Sequence, residues 1–184
     1  MTLKYIIKII IFSLLSIQCI SQNENASLMC LSLKKTYEIN KVWEYDNGVV
    51  LFVKDTIHFD NKIFYEWTSG NSWTRFYSND EDGNFYMLSR KKDKCVLIIP
   101  KEEIFNYESP LLDDLKLKIL SYHASIVTPF CKYEDVIIIE DTFEGMITYF
   151  KKGIGFLARD LKGIRLNSLQ SIYFEKPEKV FKKG

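Results

Sequence analysis

Trp73-Thr74-Arg75-Phe76-Tyr77, then Ser78-Asn79-Asp80-Glu81-Asp82-Gly83-Asn84, then Phe85-Tyr86-Met87-Leu88: the fold turns on this run. Two short segments of aromatic and other strand-favouring residues flank a polar stretch ending in Asp-Gly, a pair suited to the positive φ angles of a tight turn. The pattern predicts a β-hairpin. Asn79, Asp80, Glu81 and Asp82 also offer carboxylate and amide oxygens to a calcium ion, but an EF-hand loop counted from Ser78 needs a bidentate Glu at its twelfth position, where this chain has Ser89. A solvated turn is the better account.

Toward the N-terminus the same grammar repeats. Val42 to Tyr45 and Val49 to Val53 flank Asp46-Asn47-Gly48, and Thr56 to Phe59 and Ile63 to Trp67 flank Asp60-Asn61. Toward the C-terminus, Cys95 to Ile99 ends at Pro100, which cannot donate a ladder hydrogen bond. Further strands are predicted over 135–140, 146–150, 154–159 and 170–174, with Gly145, Gly153 and Gly163 at or near turns. Val136-Ile137-Ile138-Ile139 is apolar on both faces and is predicted to be central and covered on both sides. Only 110–126 competes: Leu111, Leu112, Leu115, Ile119 and Tyr122 recur at helical spacing behind Ser109, while Leu115, Leu117, Ile119 and Tyr122, Ala124, Ile126 alternate as in a strand. The fold class expected is mainly β, with α+β as the alternative: a curved antiparallel sheet or half-barrel meander with at most one or two helices.

The chain starts with Lys4 and Lys8, an apolar run from Ile9 to Leu15, and no acidic residue before Glu24. This is the layout of a secretory signal, with an apolar core too short to span a membrane. Cys19 and Ser21 supply the small side chains that signal peptidase needs before a cut after Ser21. The expected organisation is a signal peptide over 1–21, an extension over 22–36, one antiparallel β domain over 37–175 and a basic tail over 176–184. Export to the periplasm or beyond the cell follows. The alternative is a lipid anchor on Cys19, the one route to membrane contact, although Gln18 stands where lipoprotein signals carry a small residue. Without Lys4 and Lys8, 23 basic side chains face 24 acidic ones, a balance that gives no reason to expect nucleic acid as a partner.

Three cysteines remain beyond Ser21: Cys30, Cys95 and Cys131. In an oxidising compartment that permits one bridge and one leftover thiol. Cys95 and Cys131, both in strand-like contexts, are the pair to test, beside the reading of all three as small buried apolar residues. With no CxxC and two His in all, no metal site is expected.

Trp43-Glu44-Tyr45, Thr56 to Tyr65, Phe76-Tyr77-Ser78 and Asp82-Gly83-Asn84-Phe85-Tyr86 resemble the first half of many uncharacterised exported proteins and lipoproteins of Bacteroidota-type bacteria. Val127-Thr128-Pro129-Phe130, Tyr133 to Ile137 and Tyr149 to Phe156 are similar to that group's second half, so the resemblance covers about residues 37 to 174. The glycine that the group carries after its Thr-Pro is absent here. The resemblance implies a curved sheet like that of periplasmic lipoprotein carriers, and no enzymatic activity.

His58 and His123 have no sequence-adjacent carboxylate and nucleophile to complete an acid/base site, so no catalytic residue and no cofactor are expected. Gly48, Gly83, Gly153 and Gly155 read as turn glycines, the last with a close approach to a neighbouring strand. Aromatic residues make up 15% of the chain. Trp43, Tyr45, Tyr65, Trp67, Trp73 and Tyr77 fall at alternating strand positions and are the candidates to line the hollow of a curved sheet, although for any one of them taken singly an ordinary core position is the favoured reading. Two functions compete: a non-catalytic binding protein for a lipid, glycan or peptide, and an interaction component of an envelope assembly that meets a partner protein by its surface or edge strand. A hollow of about 300 Å³ or more would favour the first.

Overall fold

The computed structural model describes residues 37–69, 73–113 and 115–175. The stretches 1–36 and 176–184, which hold the expected signal, extension and tail, lie outside the described residues. The described residues form eleven antiparallel strands: β1 (Lys41–Tyr45), β2 (Val50–Phe59), β3 (Lys62–Thr68), β4 (Thr74–Asn79), β5 (Phe85–Leu88), β6 (Cys95–Ile99), β7 (Leu117–Val127), β8 (Lys132–Asp141), β9 (Met146–Lys151), β10 (Gly155–Leu161) and β11 (Ile164–Phe174). They form one sheet in the order β6-β5-β4-β3-β2-β1-β11-β10-β9-β8-β7, curled nearly into a barrel, with no helix among the described residues. Two meanders, β1 to β6 and β7 to β11, are thus joined by the pairing of β1 with β11, from Lys41 opposite Phe174 to Tyr45 opposite Leu169.

The hairpin turns follow from local chemistry. In the β4–β5 turn the Asp80 carboxylate accepts hydrogen bonds from the Asn84 backbone N–H at 2.9 Å, the Asn84 side chain at 2.9 Å and the Tyr86 hydroxyl at 3.1 Å. This carboxylate therefore serves the turn. Val50 to Val53 and Thr56 to Phe59 belong to one strand, β2, in which Lys54 is an extra residue between the pairs Val53–Trp67 and Asp55–Glu66. Such a bulge bends the strand and adds twist, which helps the sheet curl. Residues 110–126 divide: 110–113 contain no helix, and β7 pairs with β8 through three register shifts that blur its alternation. Val136, Ile137 and Ile139 are buried, as expected of an apolar strand, but β8 is next to last in the sheet and not central.

The sheet's exposed edge is partly covered. Ser109 N–H donates to Leu117 O, and Ile119 N–H donates to Tyr107 O, both at 2.8 Å, so the 107–109 segment pairs with β7. The Tyr107 hydroxyl donates to Leu97 O on β6 at 3.0 Å and links this segment to the other edge.

The expected Cys95–Cys131 bridge is overturned. Cys95 is a free thiol at the start of β6, packed against the outer-face cluster of Phe64, Phe76 and Leu88, whereas Cys131 is disulfide-bonded and sits in the β7–β8 turn. The antiparallel order puts those two positions at opposite ends of the sheet, farther apart than the roughly 7 Å between Cα atoms that a disulfide tolerates. Cys19 and Cys30, the other cysteines, lie outside the described residues. Alkylation of the denatured, unreduced protein is expected to label Cys95 and spare Cys131 in peptide mapping. A cross-linked peptide joining these two would contradict the structure.

Candidate functional site

Strand β1 clamps the opposite half of the sheet from inside. Its alternate residues Lys41, Trp43 and Tyr45 share one face. Lys41 Nζ donates to Gly153 O at 3.3 Å, Trp43 Nε1 to Ile154 O at 2.8 Å, and the Tyr45 hydroxyl to Phe156 O at 2.9 Å. All three side chains are buried, and burial pushes the Lys41 ammonium down to about 8 and the Tyr45 phenol up. The Lys41 ammonium also lies 5.0 Å from the Trp43 ring centroid.

Around this clamp the aromatic rings close into one layer. Tyr37, just before β1, stacks on Tyr77 at 5.5 Å and Phe85 at 5.7 Å. Trp67 meets Trp43 edge-on at 5.8 Å and stacks on Phe156 at 4.9 Å, while Phe85 reaches Phe150 at 4.8 Å. These contacts join β3 and β5 to β9 and β10 across the interior. The layer closes the end of the hollow where the chain enters β1.

Above the layer lies a hollow of about 350 Å³. Tyr77, Phe85, Met87, Ile98, Ile139 and Phe156 give it apolar walls and floor, and Trp73, Arg75, Arg90, Asp113, Asp141, Glu144 and Arg159 form a charged rim. A recess of about 150 Å³, lined by Tyr45, Leu51, Trp73, Arg159 and Asn167 among others, adjoins it. Of the six aromatic candidates, Trp73 and Tyr77 line the hollow and Tyr45 lines the recess. Trp43 and Trp67 are fully buried in the packed layer. Tyr65 is half-buried and stacks on Tyr37 at 6.3 Å.

Arginines 75 and 159 were not singled out by the sequence, and a bulge explains why for Arg159. In the β9–β10 ladder Phe156 is opposite Phe150, but Ala158 is opposite Tyr149, so Leu157 is extra and the strand's alternation changes parity. Arg159 then faces Thr148 and shares the inner face with Phe156, where strict alternation would have turned it outward. Asp160 goes to the outside, accepting the Tyr149 hydroxyl at 2.9 Å and pairing with Arg165.

The turn glycines Gly48, Gly83, Gly153 and Gly155 all have positive φ. At Gly155 the backbone also runs against a side chain: an added Cβ would come within 3.2 Å of Trp43 Nε1.

The histidines have different surroundings. His58 is exposed on β2. His123 on β7 is exposed between two carboxylates, Nε2 at 2.8 Å from Glu103 Oε2 and Nδ1 at 3.5 Å from Asp135 Oδ1, a grouping that no sequence spacing announced. Hydrogen bonds donated to Glu103 and then to Asp135 raise its pKa and favour the imidazolium. With both ring nitrogens facing acids, neither is presented to a nucleophile, so the arrangement is an ion-pair bridge and not a general base. Among the described residues no group of three or more His, Cys, Asp or Glu side chains is placed to hold a metal ion. Compared with protein-family models, with curated proteins and with solved structures, the chain matches none.

Proposed function

We propose that this chain is an exported, non-catalytic binding protein that takes an apolar or amphipathic ligand in the hollow of its curved sheet. The observation that carries the proposal is the hollow itself, about 350 Å³ with an aromatic and aliphatic interior beneath a charged rim. That size lies at the lower end of the range for small-molecule sites, and an apolar interior with a few polar groups at its mouth is what such sites share. The ligand classes that fit are a lipid, a glycan with an apolar face or a short peptide. The signal-like first residues support export to the periplasm or beyond, with a lipid anchor at Cys19 as the alternative address. Resemblance to exported proteins with carrier-like half-barrels agrees with this reading. The competing role in an envelope assembly through an edge strand has less support, because residues 107–109 already pair with β7.

The test is titration with N-phenyl-1-naphthylamine, a neutral dye that brightens in apolar surroundings. The folded protein is expected to raise its emission saturably. Thr148→Trp, which adds an indole from a half-buried position on the wall, is expected to weaken that binding about tenfold or more while far-ultraviolet dichroism stays unchanged. Equal dye binding by a folded Thr148→Trp protein would contradict the proposal.

A further inference from the structure

The rim of the hollow carries three arginines and three acids, but they are not evenly matched. Arg90 Nε is 3.4 Å from Asp113 Oδ2, so this cation has a carboxylate. The Asp141 carboxylate accepts the Phe143 N–H at 3.0 Å and belongs to the β8–β9 turn. Glu144 is exposed in the same turn. Arg75 and Arg159 instead flank Trp73, with guanidinium carbons 5.3 Å and 5.7 Å from its ring centroid. Arg75 Nη1 donates to the neighbouring Thr74 O at 3.1 Å, and among the described residues neither guanidinium has a carboxylate partner. Arg159 also lies 5.7 Å from the Phe156 ring centroid. Its charge reaches the interior phenols: it lowers the pKa of Tyr77 and Tyr45 against the larger upward effect of their burial.

A half-buried guanidinium has given up part of its hydration, and rings alone do not replace the hydrogen bonds its five N–H groups can make. The planar fork is shaped to receive a carboxylate in two parallel bonds. Because Leu157 bulges, the strand spends an irregularity to turn this one cation inward, the kind of re-aiming that bulges perform beside functional sites. Asp141 and Glu144, which share the rim, disfavour a dianion, so a single negative charge matches best.

Resting on the reading of the hollow as a ligand site, we propose that it binds a single-chain amphipathic carboxylate. The carboxylate is received by Arg159, with Arg75 beside it across Trp73, and the alkyl chain lies on Tyr77, Phe85, Met87 and Ile98.

The experiment displaces N-phenyl-1-naphthylamine from the wild-type protein with decanoate and with decanol, which share a chain length and differ in charge. Decanoate is expected to compete at a concentration roughly tenfold or more below that of decanol, the size expected of one charge-assisted hydrogen-bonded contact. In Arg159→Gln that ratio is expected to collapse toward one, in Arg159→Lys to fall part of the way, and in Arg165→Gln, on the outer face, to stay at the wild-type value. Should Arg159→Gln fail to fold by dichroism, Arg75→Gln provides a second variant, expected to lower the ratio severalfold. Equal competition by the two ligands in the wild type, or a ratio that survives in folded Arg159→Gln, would overturn the carboxylate assignment while leaving the hollow as a site. Absence of dye binding altogether would instead remove the reading on which it rests.

Discussion

A Trp43→Ala protein is expected to lose about 3 to 5 kcal/mol of folding stability, the range for truncating a fully buried large aromatic residue. Trp43 has no exposed surface, meets Tyr37 at 5.7 Å and Trp67 at 5.8 Å, and holds Ile154 O through its indole N–H. Removing it opens a cavity in the aromatic layer and breaks a bond between β1 and the turn leading into β10. Total stabilities are about 5 to 15 kcal/mol, so the loss is a large fraction of what holds the sheet together. Trp43→Phe should cost less, because much of the ring volume stays while the bond to Ile154 is lost. Urea unfolding measures both; a loss below about 1 kcal/mol for the alanine variant would mean that Trp43 does not carry the layer.

Gly155→Ala is expected to cost about 2 to 6 kcal/mol from two sources, backbone strain and overpacking, each worth about 1 to 3 kcal/mol. Its φ of +109° lies where L residues are strained, and the added Cβ would stand 3.2 Å from Trp43 Nε1 and 3.5 Å from Cε2. The indole cannot retreat, since it is packed on two rings and hydrogen-bonded. Gly163 is the comparison: its φ is +78°, but an added Cβ meets nothing within 4 Å, so Gly163→Ala should show the strain alone. In a Trp43→Phe background the cost of Gly155→Ala should shrink by 0.5 kcal/mol or more, the coupling expected of residues in contact. Strict additivity would show that the approach to Trp43 is not the cause.

Much of the fold was legible because its information is local. Asn47-Gly48, Asp60-Asn61 and Asp82-Gly83 each announce a turn, and aromatic and β-branched runs on either side announce the strands. Illegible features are those where the period breaks or the contact is distant. Lys54 and Asp55 interrupt alternation and make β2 read as two pieces, when a single bulge accounts for the break. Residues 110–126 read between helix and strand because they join a looped approach, where Leu112 bridges Leu115, to the start of β7, whose three register shifts blur its alternation. The closing pair, β1 with β11, joins residues more than 120 positions apart, and no turn chemistry signals it.

For the candidate site, the aromatic stripe was visible but its division was not. Trp43 and Trp67 have the same alternation as Tyr77, and only the curvature of the sheet decides which rings form the packed layer and which line the hollow. Arg159 was hidden by the parity change at Leu157, since alternation counted from Phe156 turns it outward. Cys95 and Cys131 both sit in strand-like sequence, yet the meander carries them to opposite ends of the sheet.

The central claim is that the hollow is a ligand site and not an unfilled part of the core. Native mass spectrometry of the protein purified from the envelope of its own host, set against the denatured mass of the same sample, tests it most directly. The account predicts a native mass exceeding the denatured one by a few hundred daltons, with the excess lost on denaturation and reduced in Thr148→Trp. Identical native and denatured masses, in a folded protein that also leaves N-phenyl-1-naphthylamine dark, would contradict it.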